Sequence, residues 1–137
     1  MKNKNVLLVE PNRHIRENLK NSLEIAGDKV FVALDENEAL NCLKSNEIDI
    51  ILIEPILGTD FLSNKKERVR NVSSGGAGVV LLNNIKKVCT RRFKIIFYTA
   101  ASFDNLFEIG IPMEETFYLR KPERTGLIIR EVHRGEM

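Results

Sequence analysis

Four side chains that could form one chemical site stand at the ends of short apolar runs. Glu10 follows VLLV and Glu54 follows DIILI, and a proline comes directly after each glutamate. Thr99 ends the run KIIFYT, and Lys121 ends TFYLRK. Carboxylate oxygens bind hard cations such as Mg²⁺, whereas a hydroxyl and an ammonium bind the oxygens of a phosphoryl group. These residue types predict an acidic site for metal and phosphate, or a site of that kind that has been dismantled.

The apolar pattern predicts strands and helices in regular alternation. Continuous apolar runs typical of strands occur five times, and a segment with helical spacing follows each one. The strand-like segments are NVLLV, KVFVAL, IDIILIE, KIIFYT and TFYLRK. The first helix is predicted to end at Ala26-Gly27, and Asp35 with Glu38 predicts a capping box at the start of the second. Such alternation predicts a doubly wound α/β fold with a five-stranded parallel sheet and helices on both faces.

The predicted strand order is 2-1-3-4-5, the flavodoxin-like arrangement that is common for a chain of this size. Ligands of such folds bind at the carboxyl ends of the central strands. The ends of predicted strands 1, 3, 4 and 5 carry Glu10, Glu54, Thr99 and Lys121. We therefore expect these four residues to converge in space.

Length and composition indicate one cytoplasmic domain. The chain has 137 residues, of which 43% are hydrophobic and 29% charged, and its net charge of +2 is too small to indicate nucleic-acid binding by itself. Cys42 and Cys89 form no metal-binding pair and are predicted to be buried, reduced thiols. We expect no membrane segment, because no apolar run approaches about 18 residues.

The chain resembles the receiver domains of two-component response regulators over nearly its whole length. The matching stretches are VLLVEPN, DENEAL, DIILIEPILG, IIFYTA and YLRKP. The resemblance implies that Glu54 occupies the phosphoacceptor position and Glu10 the first acidic, metal-binding position. It places Thr99 and Lys121 at the family's hydroxyl and lysine positions, and Tyr118 at the aromatic switch position.

The sequence departs from the family pattern at two positions of this site. Pro11 stands where the family has a second acidic metal ligand, and it has no side-chain oxygen. Glu54 replaces an aspartate, which adds about 1.5 Å of reach, and a misplacement of that order can cost about 10²-fold in rate. We expect phosphotransfer to be very weak or absent. A Mg²⁺ site at Glu10 and Glu54 is expected to be weak or absent, with no other cofactor.

Two residues of the site have alternative interpretations. Glu54 could contact both Lys121 and Thr99 and so hold part of the arrangement of a phosphorylated receiver permanently. Alternatively, it could simply pair with Lys121 and keep the site neutral. The second role is favoured, because a carboxylate carries one charge and a phosphoaspartate about two. Tyr118 is either a switch residue or a half-buried residue at the sheet edge.

An insertion is predicted at about residues 59–77, between strand 3 and helix 3. It exceeds the usual loop length of about 12–15 residues and carries Lys65, Lys66, Arg68 and Arg70 against a single acid, Glu67. It is either a solvated loop, which we favour, or an element that contacts a partner or an anionic ligand.

The resemblance implies a signalling module that acts by protein–protein contact and has no enzymatic activity. The implied contact face, which in the family serves dimerisation and output, comprises helix 4, strand 5 and helix 5, at 102–110 and 116–134. A homodimer is one of the implied assemblies, and the sequence does not identify a cognate histidine kinase. Two alternatives remain: a nucleic-acid or anionic-ligand binding module that uses the basic insertion, which we disfavour, and a phosphoacceptor that is still active. His14 and His133 are predicted to be exposed.

Overall fold

Five parallel strands form a single sheet in the computed structural model, which describes residues 3–62, 76–89, 91–113 and 116–134. The strands are β1 (Asn5–Val9), β2 (Lys29–Val32), β3 (Ile50–Ile53), β4 (Lys94–Thr99) and β5 (Phe117–Arg120). Their order is β2-β1-β3-β4-β5, and each neighbouring pair is parallel. The predicted fold class and strand order are confirmed.

The described helices are α1 (Arg13–Ile25), α2 (Glu36–Ser45), α3 (Gly76–Val88), α4 (Phe103–Glu108) and α5 (Thr125–His133), with a short 3₁₀ helix at Thr59–Phe61. They cover both faces of the sheet, as predicted. Leu19 of α1 and Ile128 of α5 pack on one face, whereas Leu43 of α2, Leu81 of α3 and Leu106 of α4 pack on the other. None of the described helices is long and apolar enough to cross a membrane.

The central strands are buried on both faces because their side chains alternate between two apolar clusters. In β1, Val6 and Leu8 join the cluster under α1 and α5. Leu7 and Val9 join the cluster under α2, α3 and α4. This arrangement explains why the strand sequences are continuously apolar.

Local signals place the helix ends close to where the sequence predicts them. The Asp35 carboxylate accepts a hydrogen bond from the Glu38 amide at 2.8 Å, and the Glu38 carboxylate accepts one from the Leu34 amide at 2.7 Å. Gly27 follows α1 at a φ of 101°, which glycine adopts far more readily than other residues. Helix α3 already begins at Gly76, so residues 76 and 77 of the predicted insertion are helical. The four basic insertion residues lie outside the described residues.

The carboxyl-terminal end of α5 is anchored by buried charges, and one prediction is wrong there. His133, predicted to be exposed, is buried, and its Nε2 lies 2.9 Å from Asp28 Oδ2. The last turn of α5 faces the turn between α1 and β2, so this histidine points into the protein. His14 is exposed, as predicted. Cys42 and Cys89 are free thiols, half-buried rather than buried as predicted.

Candidate functional site

Lys121 lies between two carboxylates at the carboxyl edge of the sheet. Its Nζ is 2.6 Å from Glu10 Oε1, at the end of β1, and 3.3 Å from Glu54 Oε1, at the end of β3. The three side chains are 14%, 3% and 12% exposed respectively. Parallel strands end at the same edge of the sheet, which is why residues so far apart in the chain meet here.

The ammonium of Lys121 is held in its charged form by these contacts. Burial alone would lower the pKa of Lys121, but the hydrogen bond to Glu10 and the charges of Glu54 and Glu10 outweigh it, so the pKa is raised. The backbone amide of Lys121 also donates to Thr99 O at 2.8 Å. This bond extends the β4–β5 pairing by one residue and positions the Cα of Lys121 at the end of β4.

Each carboxylate is also tied to the loop that follows its strand. Glu10 Oε2 accepts a hydrogen bond from the Asn12 amide at 3.0 Å. Glu54 Oε2 accepts one from the Ile56 amide at 3.1 Å. Together with the two contacts to Lys121, all four carboxylate oxygens therefore have a donor.

Thr99 and Tyr118 meet at Ala101, in the loop between β4 and α4. The Thr99 hydroxyl, fully buried, accepts a hydrogen bond from the Ala101 amide at 3.2 Å. The Tyr118 hydroxyl donates to Ala101 O, and its half-buried ring packs edge-on against Phe103, with 6.1 Å between centroids. Within the described part of the chain, no hydrogen bond joins Thr99 to Glu54.

The residues present do not fit a Mg²⁺ site. Such a site needs carboxylate oxygens with free lone pairs in near-octahedral positions, whereas here an ammonium already lies between Glu10 and Glu54. Pro11, at the position of the second acidic ligand, is exposed and offers no side-chain oxygen. Among the described residues, no group of three or more His, Cys, Asp or Glu side chains could hold a metal ion.

Sequence reasoning missed one charged residue beside this site. Arg16, in the first turns of α1, donates from Nη1 to Glu10 O at 2.9 Å and to Pro11 O at 3.2 Å. It therefore stabilises the turn after β1 through the backbone carbonyls of two successive residues. The only sequence signal is its helical spacing toward the strand end, which is too common a pattern to single it out.

Among known proteins, similarity to this chain is found in solved structures only. No protein-family model matches the chain, and no curated protein matches it. A two-component response regulator from Clostridium difficile is 22% identical, with a TM-score of 0.70, and the match covers 95% of this chain and 93% of that one. A response regulator from Thermotoga maritima is 21% identical, with a TM-score of 0.69 and coverage of 96% and 95%.

A third similar structure was solved with a metal ion. It is the receiver domain of a sensor histidine kinase from Pseudomonas aeruginosa, with a magnesium ion coordinated in its active-site cleft. It is 22% identical to this chain, with a TM-score of 0.68, and the match covers 97% of both chains. At these identities the likeness concerns the fold, and the chain folds as response regulator receiver domains do.

Proposed function

We propose that the protein is a receiver-like signalling module of a two-component or phosphorelay system, in which phosphorylation is lost or very weak. It acts in the cytoplasm by protein–protein contact and catalyses no reaction of its own. Glu54 stands at the phosphoacceptor position, with Thr99 and Lys121 as the phosphate-facing half of the ancestral site. Any Mg²⁺ bound at Glu10 and Glu54 is held weakly.

One observation carries this proposal: the ammonium of Lys121 lies between the carboxylates of Glu10 and Glu54. An aspartyl-type nucleophile must have an oxygen in line with the phosphoryl donor and the metal. Here both oxygens of Glu54 are engaged, by Lys121 and by the Ile56 amide. This geometry supports a structural role for Glu54 in preference to acceptance of a phosphoryl group. It also favours simple pairing over imitation of the activated state, because Glu54 makes no bond to Thr99.

The proposed contact face consists of α4, β5 and α5. It exposes large apolar side chains: Phe103 is 50% and Phe107 71% exposed, and Phe117 and Leu127 are also exposed. These exposed apolar side chains all lie on the three elements of the face, and they support the proposal that it contacts a partner. The partner is a protein, which includes a second copy of this chain. Tyr118 joins this face to the site through Ala101, so a switch role remains part of the proposal.

A phosphorylation assay tests the proposal. The protein is incubated with acetyl phosphate and Mg²⁺, and its intact mass is measured. We expect no phosphorylated species, because the acceptor oxygens and the metal position are both altered. Stoichiometric labelling of the wild type at Glu54 would contradict the proposal.

The matched control is the double variant Pro11→Asp, Glu54→Asp, which restores the residue types of the family pattern at both altered positions. Labelling of this variant under the same conditions is the expected result. This result would show that Thr99, Lys121 and acetyl phosphate can support phosphorylation. It would also show that Pro11 and Glu54 account for the absence of labelling in the wild type.

A further inference from the structure

A cavity of about 190 Å³ opens beside Glu10, and Lys121 is not among the residues that line it. It lies between the turn after β1, the turn after β2 and the segment that follows β3. An engineered apolar cavity of about 150 Å³ in another protein takes up benzene. The cavity next to Glu10 therefore has room for a molecule of one ring or an equivalent branched chain.

Arg16 brings a guanidinium to this cavity that keeps N–H groups beyond those it uses for backbone carbonyls. The side chain is half-buried, and only Nη1 is used, for the carbonyls of Glu10 and Pro11. A guanidinium has five N–H donors. In the described ranges no carboxylate lies within 4.0 Å of it, and the neighbouring Glu17 pairs with Arg13 instead. The remaining N–H groups of this guanidinium are therefore available to an anion in the cavity.

Most of the remaining wall is apolar. Ala33, Leu57 and Phe61 are buried and line the cavity, and Leu34 lies on its wall although it is 57% exposed. An apolar body in the cavity would cover Leu34, which the protein leaves in water. The walls therefore favour a ligand that has a compact hydrocarbon part.

Two acidic side chains also line the cavity, and they limit the charge of the ligand. Both oxygens of Glu10 are engaged: one contacts Lys121, which Glu10 shares with Glu54, and the other accepts from the Asn12 amide. Asp60 is exposed, so water and salt screen it. A monoanion that pairs with one guanidinium suits this balance better than a phosphate dianion.

We propose that this cavity binds a small carboxylate with a compact apolar body, and that Arg16 receives the carboxylate through its unused N–H groups. The site goes beyond the proposed signalling function and does not depend on it. Arg16 and Lys121 both contact Glu10, Arg16 through its backbone carbonyl and Lys121 through its carboxylate. A bound carboxylate that draws Arg16 toward it is therefore expected to alter the surroundings of Lys121 as well.

Benzoate is the probe that tests the proposal, and binding is followed by two-dimensional NMR of the full chain. We expect saturable shifts at the amides of Arg16, Ala33 and Leu57, and smaller shifts at Lys121. Benzamide, which has the same shape without the charge, is expected to bind at least about tenfold more weakly, because charge-assisted hydrogen bonds to the guanidinium are lost. Benzylamine, which carries the opposite charge, is expected not to bind.

Arg16→Gln is the informative variant, because it removes the charge and keeps donors for the Glu10 and Pro11 carbonyls. The affinity for benzoate is expected to fall at least about tenfold. Arg13→Gln, at an exposed position on the same helix, is the matched control and is expected to bind as the wild type does. The proposal is overturned by unsaturable benzoate shifts in the wild type, by equal affinity in Arg16→Gln, or by benzamide or benzylamine binding as tightly as benzoate. The comparison of the three probes needs only the wild type, so it stands even if the variant does not fold.

Discussion

Lys121 balances two carboxylates that would otherwise lie side by side at the edge of the sheet. Glu10 and Glu54 both contact the same ammonium, and Glu10 is almost completely buried. Like charges taken out of water repel strongly and lose their hydration. Lys121 therefore stabilises the folded protein by reducing the repulsion between Glu10 and Glu54, in addition to its proposed place in the phosphate-facing half of the site.

Replacement of Lys121 by methionine is expected to lower the free energy of unfolding by about 3 kcal/mol, because removal of one partner leaves buried charge uncompensated. Urea unfolding at neutral pH measures the loss. Lys20→Met is the matched control: Lys20 pairs with Glu24 on the surface of α1, at 40% and 44% exposure. An exposed pair of this kind contributes only about 0.3–0.5 kcal/mol.

The pH dependence provides a second check on Lys121. Its pKa is raised in the folded protein, so its contribution is fully present below the pKa of an unfolded lysine, about 10.4, and is lost as pH rises through the folded value. The stability difference between wild type and Lys121→Met should stay constant up to about pH 10 and shrink above it. Equal stabilities at neutral pH would contradict this account of Lys121.

Sequence reasoning could place residues at strand ends but could not find contacts made by packing. Glu10, Glu54, Thr99 and Lys121 each follow an apolar run, so fold topology alone predicts that they share one edge. The pairing of Asp28 with His133 depends on how α5 lies against the sheet. No local pattern encodes that pairing, because the two residues are separated by most of the chain.

At the scale of elements, periodicity predicted every strand, and Gly27 and the Asp35–Glu38 capping box predicted the end of α1 and the start of α2. Helix α3 differs from its prediction, because it starts at Gly76, within the predicted insertion. Gly78 therefore lies inside this helix and faces the segment after β3, where an added Cβ would lie 1.7 Å from Pro55 O. This glycine allows the backbones to approach closely and does not act as a helix stop.

Gly78→Ala is expected to destabilise the protein by about 3 kcal/mol or to force α3 away from β3. The added Cβ would meet backbone atoms of Pro55, and neither backbone segment can move aside without loss of packing. Gly126→Ala in α5 is the matched control, because nothing lies within 4 Å of its added Cβ. It is expected to stabilise the protein by about 0.5–1 kcal/mol. Thermal unfolding of both variants measures these effects, and a neutral Gly78→Ala would show that the close approach to Pro55 is not present.

At the scale of the whole molecule, the two ends of the sheet have different roles. The carboxyl edge carries the Glu10–Lys121–Glu54 site and the cavity beside it. Two polar contacts lie at the opposite edge: Lys94, the first residue of β4, forms an ion pair with Glu131 at 2.9 Å, and Asp28, just before β2, contacts His133. Both contacts attach the end of α5 to the sheet. This helix is therefore fixed at the end of the sheet opposite the Glu10–Lys121–Glu54 site.

Loss of the Asp28–His133 contact should loosen α5 without altering the site. Asp28→Ala is expected to cost about 2–3 kcal/mol, because it removes the carboxylate that contacts buried His133 and accepts the Lys4 amide. Amide hydrogen exchange should speed up in α5 and at the start of β1, and much less in β3. The control is Arg134→Ala, at a 71% exposed side chain, with a change within about 0.5 kcal/mol. Unchanged protection of α5 in Asp28→Ala would contradict this role.

We propose that Pro11, together with the engagement of Glu10 and Glu54 by Lys121, leaves this site unable to bind Mg²⁺ and accept a phosphoryl group. The most direct test of this proposal is an NMR titration of the wild type with beryllofluoride and Mg²⁺, which together imitate a phosphoryl group on an acidic side chain. We predict no saturable change at the amides of Glu54, Thr99, Ala101 and Lys121. Stoichiometric shifts at these positions would show that the site still accepts a metal ion and a phosphoryl group, and would contradict the account.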